Sequence, residues 1–367
     1  MRDRFDTLQA LRGAACLLVV VYHTALAETQ FGLGFNPLKP VRWFGYAGVD
    51  LFFVLSGFII AATTRPDLGR PARLPGYLFR RAWRVYPTFW VALALAVGIH
   101  AALSPAPAFD PARWRESADT VFLLPQLGVP RFLAVTWTLT YELMFYLAVG
   151  GLFLLPRRAA VPAAAAWAAV VVGWSASAPP PADPYLALPL SPFVLEFLAG
   201  FALGRWPARW TGRQAVALGL VAVAWGGLWS AVFYQPDPHV LTIDAVRRVV
   251  TFGPPAALAV LALTGWERGG GRAGPLWLRR VGDASYSIYL IHVPAFTVTL
   301  YLSILAGMTH GKSGHLAWIG LMLASAVGAG LLLHRYVEAP LLRLGRRRPV
   351  AEPVPALPPA PPARRAA

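Results

Sequence analysis

The sequence predicts an all-α, polytopic integral membrane protein, a bundle of about ten transmembrane helices with both termini inside. Three observations carry this. Of the 367 residues, 57% are hydrophobic and only 14% charged, with mean hydropathy +0.52. A soluble chain carries nearer to about 25% charge. Apolar runs long enough to cross a bilayer recur from the N-terminus to about residue 337. The net charge of +16 comes from arginines gathered at the ends of those runs, a distribution that orients membrane helices and does not form a basic face for nucleic acid.

Taken in order, the spans fall at 8–27, 45–63, 85–103, 136–156, 159–177, 190–205, 214–234, 246–265, 284–306 and 315–337. Each has the roughly 17–25 residues needed to cross, apart from a slightly short sixth. With the N-terminus inside, lysine and arginine favour the inner segments by about three to one. The N-terminal arginines precede an apolar stretch, as in a signal peptide, but no convincing small-residue cleavage pattern follows, so the first span is expected to be retained. The single cysteine, Cys16, excludes an intrachain disulfide. The long outer loop, about 104–135, is proline-rich and is expected to hold a short interfacial helix around "RWRESADTVFLL". One transmembrane domain, 1–345, is expected, followed by a disordered Pro/Ala/Arg-rich cytoplasmic tail, 346–367. There is no 20–50-residue repeat and no inverted pair of broken helices of the kind found in many transporters.

Charged side chains within such spans cost at least about 2.5 kcal/mol in lipid, so they should face a protein interior or a wet cavity. In "LQALRGAACLLVVVYHTALAE", Arg12 and His23 lie on one face of the first helix, about 16 Å apart along its axis. Arg12 falls near the inner end and His23 in the outer part. Asp50 in "GVDLFFVLSGFII" and Glu142 in "WTLTYELMFYL" fall at depths similar to that of His23 on the second and fourth spans. The three are expected to form one site, with a carboxylate beside an imidazole that accepts a proton. A second cluster sits at the inner end: Arg80, Arg81 and Arg84 in "FRRAWRVYP", with Arg12 and Arg335 at similar depth. Guanidinium forks there suit a polyanionic ligand. In "GDASYSIYLIH", Ser285, Tyr289 and His292 form one polar stripe, and Asp283 is placed to cap the helix. Pro340 favours a helix stop after Glu338.

Each feature also has a structural explanation. Arg12 can snorkel to inner headgroups, and the inner arginines can serve orientation alone. His23, Glu142, Asp50, Ser285 and Tyr289 can act as hydrogen-bonding glue between helices. Cys16, about 10 Å along the axis from His23, reads as a small core residue.

Together these residues resemble the membrane-bound acyltransferase-3 family, which includes bacterial O-acetyltransferases of surface polysaccharides. The resemblance covers about residues 4–345. It rests on an Arg followed by ten residues and a His in "FDTLQALRGAACLLVVVYHT", on "GVDLFFVLSGFII", on the R-x-x-R of "RRAWRVYPTFW", on "WTLTYELMFYL", on "GDASYSIYLIH" and on the E-x-P of "VEAP". Each fragment is weak alone; their order and spacing make the match specific. Many members carry a second acidic residue after the glutamate of the fourth span, where this chain has Leu143, which puts a paired carboxylate there in doubt.

The resemblance implies acyl transfer from cytoplasmic acyl-CoA, typically acetyl-CoA, to a hydroxyl of a glycan or glycolipid acceptor. No metal is implied, and the setting is the bacterial cytoplasmic (inner) membrane. Arg81 and Arg84, with Arg12 and Arg80 as further candidates, would hold CoA phosphates. His23 would be the general base, with Glu142 or Asp50 stabilising its imidazolium. Ser285, Tyr286 and Tyr289 would be candidates for oxyanion stabilisation, and His292 for substrate contact. The same clusters would also serve a transporter or flippase of an anionic lipid-linked glycan, against which the missing inverted repeat counts. A non-catalytic membrane partner would tolerate changes at His23 and Glu142.

Overall fold

A computed structural model describes residues 5–30, 36–104, 114–126, 132–233, 244–308 and 311–345. Among them all regular structure is helical. The helices are α1 (Asp6–Gln30), α2 (Ala47–Thr64), α3 (Leu74–Leu103), α4 (Trp114–Phe122), α5 (Trp137–Gly151), α6 (Ala160–Ser177), α7 (Pro184–Leu190), α8 (Phe193–Leu203), α9 (Gly212–Val232), α10 (Ala245–Arg268), α11 (Leu276–Asp283), α12 (Ser285–Leu305), α13 (Gly311–Leu333) and α14 (Ala339–Gly345). Among the described residues eight helical segments are long and apolar enough to cross a membrane, and the bent pair α7–α8, turning by 42°, makes up to nine. The protein is thus an all-α, multi-pass membrane protein.

The expected fourth span is shorter than the sequence suggests. The helix α5 has 15 residues, or about 22 Å, and its chain turns away at the glycine pair Gly150–Gly151. The expected sixth span is broken because Pro189 and Pro192 flank Ser191 between α7 and α8. The expected interfacial helix is present as α4; 105–113 and 127–131 in the same loop lie outside the described residues, as does the tail from 346.

Three helix ends differ from the sequence reading. Residue Leu74, not 85, starts α3, with Pro75 in its first turn, so Arg80, Arg81 and Arg84 lie on the helix itself. Asp283 ends α11, and α12 starts from Ala284 without a side-chain cap. Pro340 does not stop the last span. A π-helical turn over His334–Glu338 carries the chain into α14, with the Ala339 amide reaching back to the His334 carbonyl. The widened turn absorbs the hydrogen bond that proline cannot donate, and it leaves Glu338 fully buried.

Close backbone approach fixes the arrangement of the helices. A Cβ on Gly57 would sit 2.0 Å from the Phe197 carbonyl oxygen, and one on Gly200 would sit 1.9 Å from that of Val54, so α2 and α8 meet backbone to backbone. The same holds for α1 and α11, where a Cβ on Gly282 would lie 1.8 Å from the Gln9 oxygen. Without water to drive burial, membrane helices gain their association from such contacts. Phe53 of α2 packs against Trp137, Tyr141, Phe193 and Phe197, which ties α5 and α8 to the same core. By contrast α6 and α9 are largely exposed and apolar, as lipid-facing helices should be.

Candidate active site

The packing of α1, α2, α3, α5 and α12 leaves a cleft of about 950 Å³ of atom-free space, open to the exterior on part of its boundary. Its polar lining includes Arg12, Arg81, Arg84, Glu142, Ser285 and Tyr146. The cation cluster expected from sequence is therefore real for three of its members.

Each guanidinium is held by a neighbour. Arg12 Nη2 donates to Ser285 Oγ at 3.0 Å. Arg81 Nη2 donates to Thr63 Oγ1 at 2.8 Å and lies 5.3 Å over the Tyr146 ring. Arg84 is paired with Glu338 and lies 5.3 Å over the Tyr286 ring. Glu338 also accepts from Ser287 Oγ at 2.7 Å and sits 2.8 Å from His334 Nδ1. The buried carboxylate is thus saturated, and it sets the position of Arg84. Neither Arg12 nor Arg81 makes an ion pair among the described residues. Arg80 does not join: it is exposed and absent from the cleft lining, although it lies one turn, about 40°, from Arg84. Arg335 stacks over Tyr336 and does not line the cleft.

The His/carboxylate cluster forms differently from the expectation. Glu142 lines the cleft and accepts from the Tyr146 hydroxyl. Asp50 is fully buried beside Arg248 of α10, which donates Nε to Oδ1 and Oδ2 at 3.0 and 3.1 Å and Nη2 to Oδ2 at 2.8 Å. His23 contacts neither carboxylate. Its Nδ1 lies 2.9 Å from the Val19 carbonyl oxygen and 3.4 Å from His292 Nε2, with the two ring centroids 4.9 Å apart. His292 is fully buried, with Nδ1 2.7 Å from the Tyr289 carbonyl oxygen. This imidazole pair lies about one helical turn beyond Tyr289, which lines the cleft.

The remaining hydroxyls are largely committed. Tyr286 donates to the Val85 carbonyl oxygen at 2.8 Å. Tyr289 donates to that of Val135 at 2.9 Å and sits 2.8 Å from Thr138 Oγ1. Both tyrosines therefore form cleft wall, with no free hydroxyl hydrogen to offer an oxyanion. Among the described residues no three of His, Cys, Asp or Glu come together as a metal site.

Sequence reasoning missed Arg248 as the partner of Asp50, His292 as the partner of His23, and Glu338 as the anchor of Arg84. Arg248 carried a readable signal, because it is a cation at the outer end of an apolar run at the depth of Asp50.

A membrane bundle with an arginine-lined cleft, and a partly buried imidazole pair beyond it, defines a multi-pass protein with a polar site inside its helices. The chain belongs to the acyltransferase-3 family: residues 5–334 match its acyltransferase domain. It is an enzyme that transfers acyl groups other than aminoacyl groups. Among its relatives, the acyltransferase MdmB of Streptomyces mycarofaciens is 31% identical over 95% of this chain and 94% of its own. The exopolysaccharide production protein ExoZ of Rhizobium meliloti is 30% identical over 83% of this chain and 92% of its own. The peptidoglycan O-acetyltransferase OatA of Listeria monocytogenes is 27% identical over 40% of this chain and 24% of its own. No solved structure matches the chain.

Proposed function

We propose that this enzyme moves an acyl group, most simply acetyl, from cytoplasmic acyl-CoA to a hydroxyl of an envelope or exported glycan, working in the bacterial cytoplasmic membrane with its arginine-rich end inside. The observation that carries this reading is the cleft itself, with three guanidiniums at one end and an imidazole pair about one turn past the other. The names of the relatives support a glycan acceptor.

Arg12, Arg81 and Arg84 would bind the CoA phosphates. Glu338 holds Arg84 in place through one Nη, leaving the rest of that guanidinium for ligand. The pantetheine arm would run along α1 toward His23, about 16 Å beyond Arg12.

His23 acts as general base. Because the Val19 carbonyl can only accept, His23 Nδ1 carries the hydrogen, and Nε2 keeps its lone pair. By the same logic His292 donates Nδ1–H to the Tyr289 carbonyl and turns an acceptor nitrogen to His23. His23 Nε2 takes the acceptor hydroxyl proton as that oxygen attacks the thioester carbonyl carbon. The carbon–sulfur bond then breaks, and the sulfur leaves as CoA thiol with the proton from His23. His292 is a positioning residue, fixing the tautomer and accepting from the imidazolium. Glu142, bonded to Tyr146 near Arg81, orients the donor end of the cleft and does not assist His23. Asp50 is a structural ion pair.

The test is thiol release from acetyl-CoA by the purified protein, with and without crude glycolipid. Acceptor-dependent release that His23→Ala abolishes supports acyl transfer. Acceptor movement in proteoliposomes without CoA consumption would overturn it in favour of a flippase.

A further inference from the structure

A second hollow lies between α5, α6 and α8, on a face of α5 turned roughly 100° from the one that bears Glu142 and Tyr146. It is an open groove with about 470 Å³ of atom-free space, part of it continuous with the exterior, lined by apolar side chains that include Val149, Leu152, Ala163, Trp167 and Phe201. The acyl-transfer site makes no use of it.

Its arginine-rich end is built from three separate loops. Arg205, just past α8, sets its guanidinium 5.7 Å over the ring of Phe201, so one residue both lines the groove and carries the cation at its mouth. Burial and then repulsion by Arg65 and Arg157 lower the Arg205 pKa. Arg65 follows α2, and Arg157 precedes α6; both are exposed. Gly69, at φ +77°, turns the α2–α3 connection so tightly against the Arg157 backbone that a Cβ would lie 3.0 Å from the Arg157 nitrogen. The two loops are thereby held together. None of the three arginines has an ion pair among the described residues, and a buried Arg205 Nη1 has no hydrogen-bond partner.

Orientation by the positive-inside rule needs arginines near the helix ends, but it does not need one stacked on a ring that lines an apolar groove, with two more on adjoining loops. A soluble anion would match the arginines and leave the groove empty. A zwitterionic lipid would match the groove and leave the cations uncompensated. We propose that this groove is a binding site for an anionic phospholipid, with its phosphate on Arg65, Arg157 and Arg205 and one acyl chain between α5, α6 and α8.

The full chain, purified in a neutral detergent, is titrated with phosphatidylglycerol, with phosphatidylcholine of the same chains, and with chain-free glycerophosphoglycerol. Bound adducts are counted by native mass spectrometry. The expected result is saturable binding of one phosphatidylglycerol, about tenfold tighter than phosphatidylcholine, and no retention of the chain-free headgroup. Arg157→Gln/Arg205→Gln should reduce that preference at least fivefold, and Ala163→Trp should block both lipids by filling the groove. If the double variant fails to fold, Arg65→Gln alone, at an exposed position, should reduce the preference about threefold. Equal affinity for the two lipids, an unchanged preference in the arginine variants, or binding of the chain-free headgroup as tight as that of phosphatidylglycerol would overturn the proposal.

Discussion

Asp50 is the residue at which a catalytic and a structural role give opposite outcomes. Its carboxylate is fully buried, and the side chain of Arg248 is only 12% exposed. Three charge-assisted contacts of 2.8–3.1 Å join them. Tyr46 and Phe193 each place a ring centroid 5.0 Å from the Arg248 guanidinium. Asp50→Ala therefore leaves the Arg248 cation among aromatic rings without its hydrogen-bonded carboxylate, with the neighbouring buried Glu196 beside it. Removing one partner of such a pair costs about 3–5 kcal/mol. For a protein of this size that corresponds to a fall in unfolding temperature of about 4–7 °C. Asp50→Ala/Arg248→Met removes both charges, so it should recover more than half of that loss. The assay is thermal unfolding in detergent followed by tryptophan fluorescence, with acetyl-CoA thiol release measured on the folded fraction. Asp50→Ala should be less stable, yet keep activity per folded molecule within about tenfold of the wild type. An Asp50→Ala protein that unfolds at the wild-type temperature but is as inactive as His23→Ala would refute the structural assignment.

Four further outcomes are expected. His292→Phe, which removes the acceptor facing His23 Nδ1, should lower kcat by about 10²-fold while leaving KM for the donor within about threefold; His292→Gln should recover part of the loss. Glu338→Gln should raise KM for acyl-CoA by about tenfold with less effect on kcat, because it loosens the arginine rather than the base; saturation kinetics of thiol release check both. Tyr286→Phe and Tyr289→Phe should each cost about 1 kcal/mol of stability and less than tenfold in rate, since each hydroxyl donates to a backbone carbonyl. Gly200→Leu should abolish folded protein in a detergent size-exclusion profile, because even a Cβ would meet the Val54 carbonyl oxygen at 1.9 Å.

The architecture was legible in the sequence because a bilayer imposes length and polarity on each span independently of its neighbours. Arg12, Arg81, Arg84 and Glu142 were legible for the same reason, as charges that an apolar helix does not keep without a polar surrounding. What depended on how helices pack was not. His23 and His292 were each visible, but their pairing requires α12 to meet α1 face to face. Asp50 matched His23 in depth, and depth alone does not say which neighbour a side chain faces; α10 supplied the answer with Arg248. Arg80 and Arg84 are not separable by sequence spacing, because four residues place them about 40° apart on a helix. On the helix that starts at Leu74, Arg84 lines the cleft and Arg80 one turn away stays exposed, a difference set by what α3 packs against. The end of the last span was misread because Pro340 breaks an α-helix but not one whose preceding turn has widened to π geometry.

The account rests most directly on the division of labour between the guanidinium end of the cleft and His23. Single-turnover thiol release, measured alongside equilibrium binding of acetyl-CoA, tests it in one experiment. His23→Ala should bind acetyl-CoA with wild-type affinity and release thiol at least about 10²-fold more slowly in the presence of acceptor. Wild-type release by His23→Ala, or loss of acetyl-CoA binding in that variant with binding intact in Arg81→Ala/Arg84→Ala, would contradict it.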